Sequence, residues 1–126
     1  MSQTAAEPVG FITVETGSKD LIVSFVVELD DEGDVASLIL MRTPFYEPLR
    51  PPEDWGVSVW HELYPEIENE RLRRLRLMSS NLVEITTTER RYLLDVSRVD
   101  PDELRDARKV LRRMNFDHAF ELDFDL

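Results

Sequence analysis

Trp60-His61-Glu62 sets an imidazole beside a carboxylate, a pairing that general acid–base chemistry often uses. Its surroundings argue against catalysis. Val57, Val59, His61 and Leu63 alternate with Ser58, Trp60 and Glu62, which is a strand pattern. Neighbours on a strand point to opposite faces, so His61 and Glu62 do not act on one atom together. His61 shares its side with Val59 and Leu63 and is expected to be partly buried and hydrogen-bonded. The other histidine, His118, falls in the turn after a helix, and two distant histidines without motif spacing make no metal site. Cysteine is absent, which removes thiol nucleophiles, thiolate ligands and disulfides. Neither a Gly-x-Ser-x-Gly nor a His-Glu-x-x-His motif occurs. The glycines at 10, 17, 33 and 56 are too scattered to cradle a phosphate. Asp30-Asp31-Glu32-Gly33-Asp34 lacks the alternating ligands and closing glutamate of a calcium loop, and reads as a hairpin tip. No catalytic residue, cofactor or metal ligand is assigned.

Binding is better represented than chemistry. Pro44, Pro48, Pro51 and Pro52 cannot donate to a β-ladder and predict a long, stiff loop over 44–54. That loop and the strand after it carry Phe45, Tyr46, Leu49, Trp55, Trp60 and His61. These six are the candidate interaction surface, because aromatic side chains supply large contact area and concentrate at interface hot spots. The same rings would equally serve as a lid over the core. A second cluster, Arg71, Arg73, Arg74, Arg76, Arg90 and Arg91, can face an anionic ligand. The simpler expectation is cross-strand pairing with Glu84, Glu89 and Asp95.

Charge narrows the class of partner. The 126 residues carry a net charge of −11, unevenly spread. Residues 1–70 hold 3 basic and 15 acidic side chains, residues 71–113 hold 12 and 7, and residues 114–126 hold none and 4. An acidic whole argues against general nucleic-acid binding, because phosphate contacts need net attraction. It favours a basic protein partner. No apolar run approaches the ~18 residues of a membrane span. Residues 1–8 are expected to be a disordered tail without the basic start and apolar core of a signal peptide, so a cytoplasmic location is expected.

The elements that position these residues come from periodicity. Strands are predicted over 9–15, 21–29, 35–43, 57–63, about 72–78, 82–87 and 91–97, with a loop or short helical turn at 65–70. Leu21–Leu29 is apolar on both parities at its start, which predicts a central strand covered on both faces. Asp100 is a helix N-cap, Pro101 suits the first helical position, and Glu103 completes a capping box. Leu104, Ala107, Val110, Leu111 and Met114 form one apolar stripe, predicting a helix over 101–114. Asn115 is placed as a left-handed stop, with Phe116 folding back onto Leu111. Phe120, Leu122 and Phe124 alternate with acids in a closing strand. Strands without alternating helices exclude a doubly wound sheet. The prediction is a single α+β domain over 9–126, a mostly antiparallel meander with the late helix packed on it. The expected function is that of a small, acidic, soluble, non-enzymatic protein-interaction domain, such as an inhibitor or immunity-type protein against a basic partner. The alternative is a small-molecule-binding domain or enzyme with a pocket under Pro44–Trp60, lined by Tyr46, Trp55, Trp60 and His61. Open sheet edges would also permit a homodimer.

Overall fold

A computed structural model describes residues 6–30 and 32–125. Eight strands and one α-helix follow in the order β1 (Glu7–Thr16), β2 (Leu21–Glu28), β3 (Val35–Arg42), β4 (Ser58–His61), β5 (Leu72–Ser79), β6 (Leu82–Thr87), β7 (Arg91–Asp95), α1 (Pro101–Met114) and β8 (Glu121–Asp123). This is the predicted α+β class, with mostly antiparallel pairing. The strands form one sheet in the order β4-β3-β2-β1-β7-β6-β5-β8. Two antiparallel meanders, β1 to β4 and β5 to β7, meet at a short parallel seam where Glu7 pairs with Leu94 and Pro8 with Asp95. β8 runs parallel to β5 at the other end.

The sheet also curls back on itself. Ser58 at the start of β4 bridges Arg71 just before β5, and the ladder continues through Val59 N–H to Glu70 O at 3.0 Å and Leu72 N–H to Val57 O at 2.9 Å. The concave side collects the apolar parity of every long strand. Val23, Phe25, Leu38, Leu40, Leu75, Val83, Ile85 and Leu94 are buried there. Helix α1 packs over β1 and β2 and adds Leu104, Ala107, Val110, Leu111 and Met114 to the same core. β2 is central, as predicted, but only one of its faces is covered by the core. On the other face Ile22 and Ser24 stay half-buried, and Val26 is buried there without joining the core cluster.

The helix limits match the expectation, while its capping differs in detail. The Asp100 carboxylate accepts the Asp102 N–H at 2.8 Å. Glu103 does not reach back to close a capping box. It accepts the backbone N–H of Ile12 at 2.7 Å, on the edge of β1 that runs on beyond the seam with β7. Asn115 closes the helix with its own N–H to Leu111 O and Arg112 O at φ −98°, and the left-handed residue is His118, at φ +55°. Phe116 is exposed and lies over the Arg42 guanidinium instead of Leu111, 4.3 Å from atom to ring centre.

Other boundaries shift by a residue or two. β1 begins at Glu7, so Glu7 and Pro8 of the predicted tail belong to the sheet, Ala6 precedes it without regular structure, and residues 1–5 of that prediction lie outside the described residues. Pro44–Leu49 and Pro52–Asp54 form 3₁₀ turns within the predicted loop. The 65–70 stretch is turn and bend without a helix.

Candidate functional site

The proline-rich segment is held by one buried arginine. Arg42 ends β3 on the core-facing parity of Ala36, Leu38 and Leu40, and it is 1 % exposed. Its Nε and Nη2 donate to Glu47 at 2.9 and 3.1 Å, its Nη1 and Nη2 to Asp117 at 2.8 Å each, and its Nη1 also to the Met114 carbonyl at 2.7 Å. Every N–H of the guanidinium has a partner, with two carboxylates in fork geometry. The Glu47 carboxylate also accepts the Gly56 N–H at 3.2 Å. Burial opposes the guanidinium charge, but Asp117 and Glu47 outweigh it and raise the Arg42 pKa. Arg42 and Phe116 lower that of Asp117 and cap the site respectively, so strand end, loop and helix end are fixed together.

This anchor decides where the predicted surface residues go. Glu47 points inward, so its neighbours turn out: Phe45 and Leu49 are exposed, at 60 % and 81 %. Phe45 packs edge-on against half-buried Tyr46, with Lys19 near both rings. Trp55 stays exposed and donates its indole N–H to Arg50 O at 3.0 Å. Trp60 sits on the outer face of β4 opposite Ile39, beside the row in which Met41 lies between Ile22 and Ser58. The six residues are therefore not brought together as one site. Phe45, Leu49, Trp55 and Trp60 present apolar surface outward, while Tyr46 is partly covered.

His61 leaves that set, because it is fully inside. Its Nδ1 accepts the Leu63 N–H at 3.1 Å, which puts the ring proton on Nε2, 2.9 Å from a Glu7 carboxylate oxygen. The ring stacks on Tyr92 at 5.6 Å between centres and lies 4.9 Å from Tyr64. Leu63, predicted on the same side, is exposed, because the strand ends at His61 and the chain turns there. Glu62 accepts the Ser37 N–H on the far side of the strand, as the parity argument requires.

A second buried acid was not foreseen. Glu70 accepts the Thr87 hydroxyl at 2.5 Å and the Tyr92 hydroxyl at 2.9 Å. Burial, reinforced by the Glu70 charge, pushes the Tyr92 phenol well above its ordinary value. Imidazole, phenol and carboxylate are thus close neighbours, and all three residues are buried. They knit the end of β4, the lead-in to β5, β6 and β7 together.

Half of the arginine cluster pairs across strands, with Glu84, while neither Glu89 nor Asp95 forms an ion pair among the described residues. Glu84 is 1 % exposed on β6 and accepts from Arg76 at 2.7 Å, Arg74 at 3.3 Å and Arg91. Burial works against its charge, but Arg91 and Arg76 hold its pKa below the usual carboxylate range. Arg71 donates to the Asp54 and Glu70 carbonyls, and Arg90 lies over the Tyr64 ring at 4.3 Å.

Of the four residues expected around a pocket, Trp55 borders a recess beside the start of β5. That recess of about 190 Å³ lies between Trp55, Val57 and Arg71–Arg73, and it includes neither Tyr46, Trp60 nor His61. It adjoins an open cleft of about 700 Å³ beside the end of α1, with Arg73 and Ala119 in common. Among the described residues no group of three or more His, Asp or Glu is placed to hold a metal ion, and no helix is long and apolar enough to cross a membrane. No protein-family model matches the chain, and neither a curated protein nor a solved structure shows significant similarity to it.

Two buried acids, Glu47 and Glu70, and the buried Arg42 escaped the sequence reading. For Arg42 a signal existed, since it continues the inward parity of β3. For Glu47 and Glu70 none did, because their partners lie on other elements or depend on how a turn folds.

Proposed function

We propose that this chain is a non-enzymatic protein-interaction domain that docks a basic protein partner. The observation that carries the reading is the concentration of exposed apolar side chains in one segment. Met41, Phe45, Leu49, Trp55 and Trp60 all lie within twenty residues and each is more than a third exposed. Arg42 and Glu47 hold that segment in a fixed shape, which lowers the entropy lost on docking. Glu53, Asp54, Glu62, Glu66 and Glu68 flank it, exposed and without an ion-pair partner among the described residues. A segment of exposed apolar side chains flanked by acids complements a partner that carries apolar anchors among lysines and arginines. An inhibitor or immunity-type protein neutralising a basic target is one concrete form of this activity.

The test is capture from an extract of the native host at low and at moderate salt, with Phe45→Ala/Trp60→Ala as the comparison protein. The expected result is a basic protein retained by the wild type, released as salt is raised and lost with the double variant. Recovery of no partner, or of partners indifferent to salt and to the substitutions, would overturn the reading.

A further inference from the structure

Arg73 differs from every other arginine of its cluster. On β5, Leu72 pairs with Thr87 and Arg74 with Thr86, so Arg73 is the extra residue of a β-bulge. Bulges re-aim a side chain out of the regular alternation and recur beside binding sites. The ladder arginines Arg74, Arg76 and Arg91 are taken up by Glu84, Arg71 by two carbonyls and Arg90 by a tyrosine ring. Arg73 has no such partner among the described residues, and it lines the open cleft of about 700 Å³.

Two more donors reach the same cleft. Arg112, in the last turn of α1, has no carboxylate partner among the described residues. His118 stands at φ +55°, a backbone region that non-glycine residues seldom occupy, and its side chain makes no hydrogen bond among the described residues. One acid, Glu121, lines the cleft. Three of the last four carbonyls of α1, which would repel an anion, already accept hydrogen bonds. Met114 O accepts from Arg42, and Leu111 O and Arg112 O accept from the Asn115 N–H. Beyond Arg73 the recess beside Trp55 offers room and an aromatic edge for a larger group.

We infer that this cleft binds a small phosphate-bearing ligand, with Arg73 and Arg112 pairing the phosphate oxygens and His118 adding a donor. Guanidinium groups suit phosphate because two parallel N–H bonds match its geometry. The site is formed by β5, the end of α1 and the turn that follows, so it stands or falls independently of partner docking at Phe45 and Trp60.

The experiment is an amide NMR titration of the intact protein with pyrophosphate and with phenyl phosphate. Saturable shifts are expected at Asn115, His118 and Phe120 for both probes, extending to Trp55 and Gly56 for phenyl phosphate alone. Arg73→Ala and Arg112→Ala should each weaken binding by roughly tenfold or more, as expected for loss of a charge-assisted hydrogen bond. Arg50→Ala, a cation outside the cleft, should leave affinity unchanged, and unchanged unfolding midpoints would show that the variants remain folded. Absence of saturable shifts, shifts centred elsewhere, or equal affinity in the wild type and both cleft variants would overturn the assignment.

Discussion

At the scale of single residues, the fold depends on charges it has buried and fully paired. Arg42 is the clearest case. Its five N–H groups are all used, so Arg42→Met would leave Glu47 buried without its cation and Asp117 half-exposed without its fork. Breaking a buried pair from one side costs about 3–5 kcal/mol. Arg42→Lys should recover little of that, because an ammonium group has three donors and no fork. Urea unfolding at neutral pH would measure both losses. A lysine variant as stable as the wild type would show that charge alone suffices. Glu84 and Asp117 make a second prediction. Both have folded-state pKa values below their unfolded ones, Glu84 because Arg91 and Arg76 overcome its burial and Asp117 chiefly through Arg42. Their contribution is therefore full above the unfolded carboxylate value and lost as pH falls through the lower folded value. Stability should drop between about pH 5 and pH 2, and Glu84→Gln should flatten that drop while lowering stability at neutral pH. Tyr92 carries the opposite sign. Its raised pKa favours the protonated phenol in the folded state, so its contribution is full below about pH 10 and lost as pH rises beyond it. Tyr92→Phe should remove that alkaline loss. It should also cost about 1–3 kcal/mol at neutral pH, because Glu70 keeps only the Thr87 hydroxyl.

At the scale of elements, legibility followed the range of the interaction. Helix α1 was readable to the residue because Asp100, Pro101 and the stripe from Leu104 to Met114 are all local signals. The strands were readable wherever alternation was clean, as in Val83-Glu84-Ile85, and so was the pairing of Glu84 with its arginines across β5 and β7. What failed depended on distant partners. Glu103 fits a capping box by spacing, yet it serves β1, 91 residues away in sequence. His61 is expected by parity to be partly buried, and its burial removes it from the aromatic surface, but its partner Glu7 falls in the predicted tail. Of the candidate surface residues Phe45, Leu49, Trp55 and Trp60 are exposed, because aromatic rings at proline turns announce exposure but not their grouping. Glu103→Ala tests the tertiary role directly. If Glu103 acted only within its helix, loss would cost a few tenths of a kcal/mol. Because the Ile12 N–H would lose its acceptor on a partly buried edge, a cost of about 1–2 kcal/mol is expected, with faster hydrogen exchange at Ile12. Exchange faster at the helix start alone would show that the capping role dominates.

At the scale of the whole molecule, two regular meanders are joined by very little regular pairing. The β1–β7 seam has two residue pairs, and the β4–β5 closure is a single bridge with two flanking backbone bonds. Side chains reinforce both places. Glu7 pairs with Leu94 through its backbone at the first seam and holds His61 of β4 with its carboxylate. Glu70 gives its carbonyl to Val59 at the second and ties its carboxylate to Thr87 and Tyr92. Each closure has few backbone bonds to break, whereas separating the meanders breaks both closures and the core that they share with α1. Sub-global opening should therefore start at the closures, ahead of the meander interiors. Native-state hydrogen exchange should show Val59 and Leu72 exchanging well before Val23, Phe25, Leu38 and Ile85. Glu70→Gln keeps the carbonyl and the shape but weakens the acceptor for two hydroxyls. It should hasten exchange at Val59 and Leu72 and leave the meander interiors tracking global stability. Uniform acceleration of all these amides would mean that the curled sheet opens as one unit, with the closures as firm as the ladders.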